Sequence, residues 1–185
     1  MAQLSTAVSD LVLAVTAFSV SLLTLSSNSL FSLGMSLQGL AASVGVLKFG
    51  QSQPSGWVVK AHHALAWITT VVGLALMSSG VHFNQGSTRL AQGLLITTAV
   101  FTLSVKFMAA DTKTLLTKSL SGFSLLSLLF LFVINWNMFG ITACALYILS
   151  GSAVGSSGYW SGIPRVDILH YGLALGNLSF QWASL

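Results

Sequence analysis

About seven apolar runs, each near the length a helix needs to cross a bilayer, fill most of this 185-residue chain, and its charged side chains (seven basic, three acidic) lie near the ends of those runs. The runs cover about Thr6 to Thr24, Leu30 to Lys48, Trp57 to Ser79, Leu90 to Ala110, Leu115 to Ile134, Met138 to Val154 and Ile163 to Trp182. They are continuously apolar, whereas the strands of a membrane barrel alternate their faces over about ten residues, so the pattern predicts an all-α polytopic bundle of about seven transmembrane helices. With 54% apolar and 5% charged residues and a mean hydropathy of +0.86, the chain lacks the charged shell that keeps a water-soluble fold in solution. The connectors are short and rich in Ser, Asn, Gly and Pro, so they read as turns, and none is long enough to hold a domain outside the membrane. Residues 1–185 are therefore expected to form a single integral membrane domain. The sixth run is short and Gly-rich, which suggests a tilted span or a re-entrant pair with the fifth.

Orientation follows from counting basic residues by side. If the chain weaves through seven spans, Lys48, Lys60, Lys113, Lys118 and Arg165 fall on the N-terminal side, Lys106 can snorkel toward it, and Arg89 alone lies opposite. The positive-inside rule then places the N-terminus in the cytosol and the C-terminus outside or in the lumen. The pI near 9.6 reflects this basic rim, which suits anionic lipid headgroups and not nucleic acid. Trp57, Trp136, Trp160 and Trp182 sit at run boundaries, where interfacial anchors belong; Trp67 is internal. The N-terminus lacks the basic segment of a secretory signal, so the first run reads as a retained helix. A single cysteine, Cys144, excludes an intrachain disulfide.

The same weave gathers ionisable groups at one level. His62 and His63 lie just inside the third span, Asp111 closes the fourth, and Asp167 with His170 opens the seventh, all at the cytosolic level; His82 is left at the other face. An ionisable group inside the bilayer costs roughly 2.5–3.5 kcal/mol on insertion scales unless it pairs or reaches water, so several at one depth suggest a polar pocket. In the last span Asp167, His170, Ala174, Asn177 and Gln181 share one helical face, which should look into the bundle. The third span offers His62, Ala66, Thr69, Gly73 and Gly80 on one side. Gly172 and Gly176, like Ser32, Ser36, Gly39 and Ser43 of the second span, form small-residue seams that allow close helix approach.

Helix packing alone accounts for the glycines, but it accounts poorly for two histidines and two aspartates. His62, His63, Asp111 and His170 would suit zinc, which takes imidazole and carboxylate ligands and activates water. The same groups would suit a proton relay, because imidazole titrates near neutrality. A bis-histidine haem site would need paired ligands that are incomplete here. In the plainest reading Asp111 caps a helix or pairs with Lys106, Asp167 pairs with Arg165 or Lys60, and the histidines bond to backbone or headgroup water. The chain contains no Glu, so carboxylate chemistry is expected to rest on Asp111 or Asp167, with Asp10 left at the tail. Phosphate-binding Gly-rich loops, paired cysteines and a Gly-x-Ser-x-Gly elbow are all missing.

Ser78-Ser79-Gly80-Val81-His82, Asp111 and His170 stand in the order of the Ser-x-x-x-His, Asp and His-x-x-x-His motifs of the seven-helix membrane hydrolases that include alkaline ceramidases and progestin/adipoQ-type receptors. The chain resembles that family in these residues and in its N-in, C-out layout, with Ala174 where the second histidine of the last motif would stand. The resemblance implies a zinc-dependent lipid hydrolase. The chain as a whole resembles small uncharacterised multi-pass transmembrane families of vertebrates, which implies no activity. The expected function is a non-enzymatic membrane component or small transporter with a cytosolic-side pocket of His62, His63, Asp111, Asp167, His170 and Asn177, and a metal-dependent hydrolase is the alternative. Gly73, Gly172 and Gly176 are expected to serve helix packing. The bilayer, a membrane-protein partner or a second copy of the chain are the expected partners, and zinc is the one cofactor in view.

Overall fold

The computed structural model describes residues 3–183, which form seven helices and one short hairpin. The helices are α1 (Leu4–Thr24), α2 (Ser29–Gly50), α3 (Gly56–Asn84), α4 (Thr88–Phe107), α5 (Ala110–Ile134), α6 (Met138–Val154) and α7 (Arg165–Gln181). The first five are long and apolar enough to cross a membrane; α6 is a shorter apolar helix of 17 residues and α7, also 17 residues long, carries more polar side chains.

Local chemistry fixes the breaks. Asn28 caps α2 by accepting from the Phe31 N–H at 3.1 Å, and Asn137 caps α6 by accepting from the Gly140 N–H at 3.0 Å. The third helix runs past its expected end at Ser79 as far as Asn84, because nothing in Gly80–Phe83 interrupts its backbone bonding; the turn comes at Gly86, where φ is +76°. Two helices carry wide turns: Thr69–Gly73 in α3 and Ser150–Val154 at the end of α6 are π-helical. In the first of these Thr69 turns its hydroxyl onto the Leu37 carbonyl of α2 at 3.0 Å, joining the two helices. Before α7, Tyr159–Trp160 and Ile163–Pro164 pair as antiparallel strands β1 and β2 across Ser161 and Gly162. Those two residues have φ of +50° and +82°, the left-handed conformations that a two-residue hairpin requires.

Six helices close a ring in the order α1, α2, α3, α5, α6, α7 and back to α1. Their shared interior holds Val20, Phe31, Met35, Met77, Leu128, Phe132, Tyr147 and Phe180, with Phe31 and Tyr147 each edge-on to Phe180 at 5.5 Å. Glycines set the close approaches. A Cβ at Gly34 would strike the Gly73 carbonyl and Met77, one at Gly39 the Phe18 ring, and one at Gly140 the Phe132 ring. The remaining helix, α4, lies outside the ring against α3, to which it turns Ala91, Leu94, Thr98 and Phe101.

Candidate functional site

Because α1 begins at Leu4, Asp10 stands about 9 Å along a helix, well inside the bundle. Its side chain faces α2 and α7. The residue is 1% exposed, and its Oδ1 lies 3.4 Å from His170 Nδ1. Ser9 joins the group: its hydroxyl lies 3.1 Å from His170 Nδ1, donates to Asp167 Oδ1 at 3.3 Å, and reaches the Thr6 carbonyl at 3.0 Å. Asp167 and His170, three residues apart on α7, are therefore presented together to two consecutive residues of α1. Gly45 of α2 makes the space, since a Cβ there would lie on the Asp10 carboxylate. The expectation that Asp10 belongs to an uninvolved tail is corrected here: it sits at the centre of the cluster, because the helix starts early enough to carry it inside.

A second group continues toward the surface. The Lys48 ammonium, near the end of α2, lies 3.2 Å from His62 Nδ1 and 3.5 Å from His63 Nε2, and as a pure donor it makes both nitrogens acceptors. Lys48 also sits 4.5 Å above the Phe49 ring, which in turn meets the His62 ring edge-on at 5.5 Å. Among the described residues no hydrogen bond or ion pair joins the two groups: the Lys48 ammonium bonds to His62 and His63, and Asp10 pairs with His170. Exposure rises along the series, from buried Asp10, Asp167 and His170 through half-buried Lys48 and His62 to exposed His63.

Asp111 stands apart from this cluster. It is exposed in the first turn of α5, where a carboxylate suits the positive end of the helix dipole, and among the described residues it makes no hydrogen bond or ion pair. His82 lies at the other end of α3, buried, with Nε2 3.2 Å from the Ser127 hydroxyl, which also meets Ser78 at 3.0 Å. Asn177, two turns beyond His170, belongs to a separate network: the Tyr147 hydroxyl bonds to its Oδ1 and to Gln38 Oε1 at 3.0 Å, and its Nδ2 reaches Thr16 at 3.4 Å. The glycines act in packing. Gly176 receives the Tyr147 ring, Gly172 the Ser150 hydroxyl, and Gly73 the Gly34 carbonyl at 3.5 Å from its would-be Cβ.

These positions do not fit a zinc site. Among the described residues no three His, Cys, Asp or Glu side chains converge as metal ligands: the Lys48 ammonium occupies the space between His62 and His63, and Asp111 and His82 lie on other helix ends. The arrangement consists instead of two separate hydrogen-bonding groups, Ser9, Asp10, Asp167 and His170 linked at 3.1–3.4 Å, and Lys48 with His62 and His63 at 3.2 and 3.5 Å. Of its members Asp10, Ser9 and Lys48 were outside the set expected from sequence. A signal was present: Thr6, Asp10, Ala17, Ser21 and Thr24 place small and polar residues on one face of the first run, and all five are buried.

Comparison with protein-family models, with curated proteins and with solved structures finds no match for this chain.

Proposed function

We propose that the chain is a multi-pass membrane protein of seven spans, with its N-terminus in the cytosol and its C-terminus outside or in the lumen, and that the Asp10–His170–Lys48–His62 cluster is the proton-handling centre of a small transporter. At 17 residues each, α6 and α7 rise about 25 Å, near the lower limit for a span, and the polar face that lowers the hydropathy of α7 is turned inward. The excess of Lys and Arg at one set of helix ends supports the orientation.

One observation carries the functional reading: an aspartate and a histidine meet at 3.4 Å inside the bundle, and a second titratable group of Lys48, His62 and exposed His63 stands at the neighbouring ends of α2 and α3. A pair needed for packing alone would not call for a second titratable group, open to the surface, at the neighbouring helix ends. The hydrolase reading has no comparable support, because its three ligand types lie on separate helix ends.

The test is flux. Purified protein reconstituted in liposomes loaded with a pH-sensitive dye should dissipate an imposed proton gradient faster than empty liposomes, and Asp10→Asn and His170→Gln should each bring the rate down to that of empty liposomes while the protein still inserts. Wild-type flux equal to that of empty liposomes, across a panel of candidate solutes, would leave a scaffold or assembly component as the surviving function.

A further inference from the structure

Lys48 lies in the last turn of α2, and His62 and His63 lie in the second turn of α3. From Ser29 to Asn84, through both helices and the turn between them, the chain carries no acidic residue. Among the described residues Lys48 makes no ion pair, and the Asp10 carboxylate is turned to His170. The ammonium has three protons and no lone pair; two of its protons face His62 Nδ1 at 3.2 Å and His63 Nε2 at 3.5 Å. Each imidazole therefore carries its own proton on the opposite ring nitrogen, Nε2 in His62 and Nδ1 in His63. Those two N–H groups and the third ammonium proton have no partner among the described residues. The group presents donors only, around one positive charge that no carboxylate offsets.

Its depth matches a membrane surface. The 29 residues of α3 rise about 43 Å, roughly 13 Å more than the hydrocarbon layer, so its outermost turns stand among headgroups. Trp57 is exposed in the first turn, as an interfacial anchor is, and exposed Lys60 follows one turn later. On α2, from Lys48 toward the middle of the membrane, Leu47, Leu40 and Leu33 follow at two-turn spacing, each pointing out of the protein. An occupant of this place meets polar donors at one end and apolar surface along the other.

We infer that Lys48, His62 and His63 bind the phosphate of an anionic phospholipid, whose acyl chains lie along the outward leucines of α2. Phosphate oxygens are acceptors only, and they supply both the partners for the three free donors and the negative charge. A free phosphate ion shares that chemistry but not the apolar surface beside it, so the lipid is the occupant. The inference goes beyond the proton-handling role and does not depend on it.

The full chain in nanodiscs of phosphatidylcholine, doped stepwise with phosphatidylglycerol, tests this through the midpoint of thermal unfolding. Phosphatidylcholine is the reference, since its phosphate charge is cancelled by its own ammonium. The midpoint should rise with phosphatidylglycerol content and saturate. Lys48→Gln should raise the half-saturating content roughly tenfold, the equivalent of one lost hydrogen bond to a charged group. His63→Gln should raise it about threefold, and as a change at an exposed position it decides the matter if Lys48→Gln does not fold. Lys118→Gln removes an exposed charge near the start of α5, at the same end of the bundle, and should leave the wild-type curve unchanged. An equal shift in Lys118→Gln and Lys48→Gln would reduce the effect to the diffuse attraction of a basic rim and overturn the site. Wild-type curves in both Lys48→Gln and His63→Gln, or a midpoint indifferent to phosphatidylglycerol, would overturn it too. Inorganic phosphate that raised the midpoint as far in neutral nanodiscs would overturn the lipid as occupant.

Discussion

Helices α4 and α7 treat their side chains in opposite ways. The apolar α4 exposes Ile96, Val100, Leu103 and Phe107, the last two at 77% and 80%, and turns only one narrow face to α3. The more polar α7 buries Asp167, His170 and Asn177 and gives solvent-side positions to Tyr171, Leu175 and Leu178. In water this distribution would be unstable twice over, through bare apolar surface and through buried polar side chains. In a bilayer both halves become favourable, since hydrocarbon welcomes the α4 face and polar groups are cheapest where they can find one another. The contrast also separates roles: the ring helices hold the polar chemistry, and α4 is an attachment that the ring does not need for closure.

Replacing a glycine by leucine in each of the two helices should have opposite consequences. Gly176→Leu in α7 is expected to have the largest effect, because a Cβ there already falls 2.7 Å from the Tyr147 ring and 3.4 Å from the Ala143 carbonyl. Separating α7 from α6 by a leucine would pull Tyr147 from Gln38 and Asn177 as well, for a loss of about 3 kcal/mol or more. Thermal or SDS-induced unfolding in detergent reads this directly, and a variant as stable as wild type would mean that α7 is not packed in the ring as described.

Asn177→Leu should act more weakly. It removes the amide that links Tyr147 to Thr16 but leaves both with other partners, Gln38 for the phenol and the Leu13 carbonyl for the threonine. The expected loss is about 1–2 kcal/mol, since an interhelical hydrogen bond in a membrane bundle contributes on the order of 1 kcal/mol. Stability unchanged by Asn177→Leu but lowered by Gln38→Leu would move the centre of the network from α7 to α2.

The sequence marked helix ends well and azimuth poorly. Ser26–Ser29, Asn135–Asn137 and the glycines near 50 and 56 are turn and capping residues whose chemistry is local, so the breaks fall where they were expected. Depth was legible for the same reason: counting residues from each turn puts His62, His170 and Asp111 near one set of helix ends. Which way a side chain points around its helix depends on neighbours distant in sequence. Asp111 shares that level but faces outward, whereas Asp10, six residues into a helix that starts at Leu4, faces His170. The satellite position of α4 could not be read at all, because an apolar residue facing lipid and one facing the protein interior look alike in composition.

Gly93→Leu in α4 completes the pair with Gly176→Leu and should have the smallest effect. No atom outside the local backbone lies within 4 Å of a Cβ at Gly93, so the leucine meets open space. Replacing a mid-helix glycine also removes its backbone-entropy penalty, about 0.5–1 kcal/mol relative to alanine, so stability should stay level or rise slightly. The measurement is the same unfolding experiment run beside Gly176→Leu. It distinguishes two arrangements of α4 that the isolated chain allows, a face toward lipid and a face toward a second copy of the protein. If Gly93→Leu leaves stability and oligomeric state unchanged, that face looks at lipid. If it dissociates a dimer without unfolding the ring, the face around Gly93 is a small-residue contact between copies, and the exposed side of α4 is an interface.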